Sequence, residues 1–384
     1  MKTADTAHNE GSSAFAKAGE PEYGAAQGQS RAAELELSGV SKRYAGQREA
    51  AIVDLSLTVP AGEVCVLVGP SGSGKTTAMR LINRLISITG GDILLGGRSV
   101  LERDARELRR EIGYVIQQTG LFPHQTVGEN IATVPGLLGW SKQRIGARVQ
   151  ELMELIGLDP QEMAGRYPAQ LSGGQRQRVG VARALAADPP LMLMDEPFGA
   201  IDPINRARLQ DEFLSLQAKV KKTIVFVTHD IDEAIKMGDR IAILRDGGRL
   251  AQYDTPREIL IHPADEFVAE FVGADRAIKR LSLTTLDELQ LMAPDGEKLG
   301  AARVPAKASV RDALSTILTA GGEAVTVVDA QDRVQGMLTL GLIEQLLSQE
   351  AAQPAQGADG ADGAGSTDGA VARAVVEQTR EAAR

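Results

Sequence analysis

Eight residues constrain this chain more than any others: Gly69-Pro-Ser-Gly-Ser-Gly-Lys-Thr76. They follow Glu63 to Val68, a nearly continuous apolar run of the kind a buried parallel strand needs. They also open a helical pattern from Thr76 to Ile86. Strand, glycine-rich turn and helix start form a cradle in which backbone N–H groups face phosphate oxygens and the helix dipole favours the anion. Gly69, Ser71, Gly72, Ser73, Gly74, Lys75, Thr76 and Thr77 are the candidate contacts. Lys75 would reach the β- and γ-phosphates of a nucleoside triphosphate, and the Thr76 hydroxyl would hold Mg²⁺.

A chain built on such a loop needs a parallel sheet, and the rest of the sequence supplies one. Glu34 to Val40 and Ala51 to Val59 alternate as strands, the second ending in the turn Pro60-Ala61-Gly62. Leu191 to Met194 and Thr223 to Val227 are short buried strands, while Val100 to Arg110 and Ser141 to Ile156 carry helical periodicity. Strands alternating with helices predict an α/β fold. Leu191-Met-Leu-Met brings Asp195 to the carboxyl end of its strand, where α/β sheets bind ligands. Asp195 can hold Mg²⁺ through water, and Glu196 can act as general base on an attacking water.

Between these two motifs stands Leu171-Ser-Gly-Gly-Gln-Arg176. A hydroxyl and two glycines at a helix start make a second anion cradle. With this string the chain resembles ABC (ATP-binding cassette) transporter ATPases from about Glu34 to Gly273. The resemblance implies a P-loop NTPase (RecA-like) core with a helical subdomain at about 121–184. It implies that Ser172, Gly173, Gly174 and Gln175 grip the γ-phosphate of ATP held by an opposite subunit, so hydrolysis requires a homodimer. Gln117 matches the family glutamine that contacts Mg²⁺ and water, with its neighbour Gln118 as the alternative. His229, in Val-Thr-His-Asp, matches the histidine that contacts γ-phosphate and orients water with Glu196. Asp202 matches the loop aspartate that crosses the dimer, and Tyr44 the aromatic that stacks on adenine. The Gly120-Leu-Phe-Pro-His124 neighbourhood receives a short permease helix in the family; internal packing of Leu121 and Phe122 is the alternative.

Further strings resemble the ATPases of osmoprotectant importers: Ile112-Gly-Tyr-Val-Ile-Gln-Gln, Phe198-Gly-Ala-Ile-Asp-Pro and Phe271-Val-Gly-Ala-Asp-Arg-Ala-Ile-Lys-Arg-Leu281. That family takes up glycine betaine, choline, carnitine or proline, often with an extracytoplasmic substrate-binding protein. An importer of another small solute is the alternative, followed by a soluble non-transport ABC ATPase. Ala324-Val-Thr-Val-Val-Asp329 and Val334-Gln-Gly-Met-Leu-Thr339 resemble the strand pair of a CBS (cystathionine β-synthase-type) module. Such modules usually pair, and one is found here. Leu342 stands where the nucleotide-binding version carries Asp, so ionic-strength sensing and dimerisation stay open as roles.

The expected organisation is a disordered tail at 1–33, an ATPase domain at 34–275, a linker at 276–300, an α+β CBS-like module at 301–348 and a low-complexity tail at 349–384. A net charge of -9 excludes a general nucleic-acid binder, because no basic field attracts phosphate backbones. Cys65 is the single cysteine, which excludes an intrachain disulfide or cysteine-zinc cluster and reads as core packing. No run approaches the ~20 apolar residues that span a bilayer, and Met1 to Ser30 lacks a signal-peptide core. The chain therefore reads as soluble, held by permease subunits at the cytoplasmic face of the membrane.

Overall fold

The computed structural model describes residues 32–116, 120–199, 201–293, 300 and 302–351. The tails expected at 1–33 and 349–384 lie largely outside that range. The chain enters through β1 (Leu35–Lys42), β2 (Ile52–Val59) and β3 (Val64–Val68), then the glycine turn and α1 (Lys75–Ile82). It continues through β4 (Gly90–Leu95), β5 (Arg98–Ser99), α2 (Ala105–Glu111) and β6 (Ile112–Val115). Four helices follow: α3 (Val127–Leu137), α4 (Lys142–Leu155), α5 (Pro160–Met163) and α6 (Gly173–Leu185). Then come β7 (Leu191–Asp195), α7 (Pro203–Val220), β8 (Thr223–Val227), α8 (Ile231–Met237), β9 (Arg240–Arg245) and β10 (Arg249–Asp254).

The central sheet has the order β10-β9-β3-β8-β7-β6. β9, β3, β8, β7 and β6 run parallel, and only β10 is antiparallel to its neighbour. All five residues of β3 and of β8 are buried, as strands covered on both faces must be. The strand period of two sorts their side chains cleanly. Val64, Val66, Val68, Met192, Met194, Ile224 and Phe226 face a core shared with the helices. Cys65, Leu67, Leu191, Leu193, Val225 and Val227 face a second core, roofed by the antiparallel sheet β2-β1-β4-β5. Each such side chain, once buried, contributes roughly 1.5–3 kcal/mol. Cys65 sits inside this second core, and burial pushes its thiol up to about 12.

Local chemistry starts the helices where the sequence changes character. Thr126 and Glu129 form a reciprocal capping box at the head of α3, Ser141 caps α4, and Ser172 with Gln175 repeats the box at α6. The predicted helix over Val100 to Arg110 divides into a 3₁₀ turn at Val100–Glu102 and α2, because Asp104 caps a fresh start by accepting from the N–H groups of Arg106 and Glu107.

Beyond the sheet run α9 (Pro256–Ile261), α10 (Glu266–Val272) and α11 (Arg276–Arg280). They lead to β11 (Arg303–Pro305), α12 (Val310–Ala320), β12 (Ala324–Val328), β13 (Val334–Thr339) and α13 (Leu340–Ala351). β12 pairs parallel to β11 and antiparallel to β13. The expected helix–strand–strand–helix is present, with the short β11 added ahead of it. The stretch read as a linker differs from that reading in its first part. Ala277, Leu281 and Leu286 are buried in a third core with Val310, Ile317, Val325 and Leu338. Helix α11 is only five residues long, too short a run to establish a period, which is why the sequence pattern passes over them. Among the described residues, no helix is long and apolar enough to cross a membrane.

Candidate functional site

The carboxyl ends of β3, β8 and β7 lie side by side, because β8 is hydrogen-bonded between the other two. That placement gathers the phosphate loop, the Thr228–Asp230 turn and the Asp195–Glu196 pair at one sheet edge. Gly69 leaves β3 with φ at 152°, and a Cβ there would meet the Leu244 carbonyl oxygen at 2.1 Å. Gly74 precedes α1 with φ at 88°, and a Cβ would stand 2.7 Å from the Ala51 carbonyl oxygen. Only glycine fits either position. Ser71 and Gly72 are exposed at the tip, Thr76 and Thr77 half-buried in the first turn of α1.

Lys75 is buried, and its Nζ donates to the carbonyls of Gly69 and Pro70, both at 2.7 Å. Burial depresses its ammonium below the usual lysine range, while Glu196 and Asp195 act against that shift. Ser73 is turned inward, its Oγ lying 3.4 Å from Lys75 Nζ and its N–H donating to Pro70. The Thr76 hydroxyl donates to Asp195 Oδ1 at 3.4 Å. Burial raises the Asp195 carboxyl, and the Thr76 hydrogen bond works against that rise. A hydroxyl beside a carboxylate is the hard-oxygen pair that suits Mg²⁺ when phosphate and water complete its shell.

Glu196 follows β7 in the left-handed region, φ 44°. Its N–H donates to the Val227 carbonyl at 3.0 Å, which fixes the turn against the end of β8. His229 reaches back from that strand end, placing Nδ1 3.1 Å from Glu196 Oε1. A carboxylate oriented by an imidazole, next to a phosphate cradle, can take a proton from water attacking phosphorus.

Three predicted groups stand elsewhere. Ser172 caps α6, accepting from the Gln175 N–H at 3.2 Å while Gln175 Oε1 accepts from the Ser172 N–H at 2.8 Å. With Gly173 and Gly174 it heads an exposed helix end. Among the described residues, none of its hydrogen bonds reaches the loop 69–76. Asp202 is exposed and caps α7 through the Asn205 N–H. Tyr44 lies just past β1, half-buried, with Lys42 Nζ 5.1 Å from its ring centre. Gln117 and Gln118 lie outside the described residues.

In the Gly120–His124 segment the two apolar residues part ways. Leu121 packs on the helical core, while Phe122 is 41% exposed. Two residues that motif reading passes over hold this turn. Buried Asn130 accepts from the Phe122 N–H and donates to the carbonyls of Phe122, Gln125 and Thr126. Arg183 donates to the Gly120 carbonyl at 2.8 Å, and its guanidinium lies 5.7 Å from the Phe122 ring centre. A lone Asn in an amphipathic helix offers no signal; its burial appears only in the fold.

The chain is similar to known proteins over most of its length. The ABC transporter family matches residues 52–199. The osmoprotectant import ATP-binding protein OsmV of Salmonella typhimurium is 53% identical over 258 residues, covering 66% of this chain and 67% of that protein. The glycine betaine/carnitine/choline transport ATP-binding protein OpuCA of Bacillus subtilis is 47% identical over 312 residues, 81% of this chain and 80% of that one. Among solved structures, the dimeric post-hydrolysis state of the cassette MJ0796 bound to ADP and Pi is 34% identical, with a TM-score of 0.51 over 58% of this chain and 98% of that one.

Proposed function

The chain belongs to the ATP-binding subunits of osmoprotectant-importing ABC transporters, and from that premise we propose how its residues couple ATP hydrolysis to uptake of glycine betaine, choline, carnitine or proline. One observation carries the assignment of roles: the Glu196–His229 pair at 3.1 Å, set at the same sheet edge as Lys75, Thr76 and Asp195. The backbone N–H groups of Ser71, Gly72 and Gly74 and the Lys75 ammonium hold the phosphates, with Gly69 and Ser73 shaping the loop, while the Ser71, Thr76 and Thr77 side chains finish the cradle. Thr76, Asp195 and Gln117 hold Mg²⁺, which supplies positive charge against the phosphate oxygens when bound. Tyr44 stacks on the adenine.

Glu196 takes the proton of the attacking water, and His229 keeps that carboxylate aimed. Catalysis is then mostly positioning and charge stabilisation. Ser172, Gly173, Gly174 and Gln175 of a second copy close over the γ-phosphate, with Asp202 crossing the interface. The exposed start of α6 supports that reading, since Gly173 and Gly174 stand at its first two positions, where backbone N–H groups have no intrahelical partner. Closing and reopening the homodimer drives integral-membrane permease subunits at the cytoplasmic face, and Phe122 offers them an exposed anchor. A substrate-binding protein outside the membrane delivers the solute. The third sheet with α12 and α13 is a CBS-like module that adjusts this cycle.

Uptake of labelled glycine betaine at high osmolarity tests the assignment, in cells lacking any parallel betaine importer. Native chain should support uptake and Glu196→Gln should not. Equal uptake with both would reject the coupling of Glu196 chemistry to this solute.

A further inference from the structure

Glu233 lies in the first turn of α8, four residues after His229, and is 7% exposed. Gln210 of α7, 6% exposed, donates its Nε2 to Glu233 Oε1 at 2.9 Å. The buried Thr228 hydroxyl stands close to the Glu233 carboxyl and acts to lower it. Thr228 Oγ1 accepts from the Asp230 N–H at 3.1 Å, so it spans the turn that carries His229. On the other side stands Arg206, one helical turn before Gln210. Its Nη2 donates to the Ile201 carbonyl at 3.0 Å, next to Asp202, and its charge bears on Glu233.

We infer that Glu233 is a positioning residue, holding the His229 turn and the Ile201–Asp202 turn in one fixed relation during ATP hydrolysis. The inference rests on the reading of His229 and Glu196 as the hydrolytic pair. A buried carboxylate is a costly way to fill space. Leu209 and Phe213 show that the same helix packs apolar side chains into the adjacent core. Burial raises the Glu233 carboxyl, with the Thr228 hydroxyl, the Gln210 hydrogen bond and the Arg206 charge working against it. What the carboxylate provides and an apolar side chain cannot is direction: it accepts from an amide of α7 while the Thr228 hydroxyl of the His229 turn stands close to it. Asp202 caps the helix that carries Gln210, and His229 immediately precedes the cap of the helix that carries Glu233, so the Gln210–Glu233 bond joins the two elements that bear those residues.

Phosphate release by the purified full-length chain tests this, with ATP titrated and the folded fraction of each variant measured by circular dichroism. Glu233→Ala should lower kcat by ~10- to 100-fold, the cost of a displaced catalytic group, and leave KM within about threefold. Glu233→Gln, which keeps an acceptor oxygen for Gln210 beside Thr228, should restore most of that loss. Thr228→Val should lower kcat alone and add little in the double variant with Glu233→Ala. Native kcat per folded Glu233→Ala molecule, or fully additive losses in the double variant, would overturn the inference. If Glu233→Ala fails to fold, Thr228→Val carries the same decision by its own kcat. Native turnover in Glu196→Gln would instead remove the hydrolytic pair itself, a separate failure.

Discussion

His229 Nδ1 lies 3.1 Å from Glu196 Oε1, although the two residues come from different strand ends and Glu196 holds a left-handed backbone at φ 44°. That conformation costs a non-glycine residue roughly 1–2 kcal/mol, and the hydrogen bond from the Glu196 N–H to Val227 helps maintain it. The turn aims the carboxylate at the imidazole, so either residue alone is misdirected.

Removing either partner should therefore spare binding and stop turnover. Glu196→Gln and His229→Ala should bind a fluorescent ATP analogue within about threefold of the parent while kcat falls by ~10²- to 10⁴-fold, the range for losing a general base. Turnover that survives Glu196→Gln would assign the base elsewhere.

The two glycines at the base and the tip of the phosphate loop should behave differently. Gly69→Ala puts a methyl 2.1 Å from the Leu244 carbonyl oxygen, a backbone atom that cannot move aside. It should abolish ATP binding and lower the Tm. Gly72→Ala meets nothing within 4 Å and carries only the strain of its φ of 88°, about 1–2 kcal/mol. It should fold and bind ATP weakly. Calorimetry with and without ATP separates the two.

Asp202 ties a pH dependence to the α7 cap. The Asn205 side chain, then the Asn205 N–H, holds its carboxyl below the usual aspartate range. An acid depressed on folding adds stability that is full above its unfolded value, about 4, and is lost as pH falls through the lower folded value. Asp202→Ala should thus lower Tm at pH 7, and the gap to the parent should narrow as pH drops below about 4. A gap independent of pH would show that the cap contributes no charge term.

Phe122 should matter only with the permease present. Its ring is exposed while Asn130 and Arg183 hold the turn beneath it. Phe122→Ala should keep basal ATPase within about twofold and weaken co-purification with the permease by ~10-fold or more, as loss of an interface anchor does. Undiminished co-purification would place the permease contact elsewhere.

Ending the chain at Asp275 removes α11 and the whole third core. ATPase activity should persist, and the dependence of uptake on external osmolarity should be lost. If a folded truncated chain has no basal ATPase, the division between motor and regulator is wrong.

Residues 63–76 were legible because each step there has a single physical solution. An all-apolar strand, glycines at forced φ and a helix start leave little freedom, and Lys75, Thr76, Asp195 and Glu196 followed from that frame. His229 needed the resemblance, since its pairing with Glu196 spans 33 residues. The pairing of Leu35 with both Val59 and Leu95 is a long-range choice that alternation alone leaves open. Glu233 was invisible for a different reason. An acid in the first turn of a helix ordinarily reads as a solvated residue favoured by the dipole, and only packing against α7 turns it inward.

Helix α11 serves two masters. Ala277 and Leu281 sink into the third core, while Lys279 on the same helix donates to the Val272 carbonyl at 2.7 Å and lies 3.3 Å from Asp232 in the first turn of α8. Chimeras that exchange C-terminal segments among such ATPases should therefore be joined between Asp275 and Arg276. A later junction splits one core between two parents. The recipient must also offer an acid at the position of Asp232, or the grafted lysine arrives at the seam with one anchor missing.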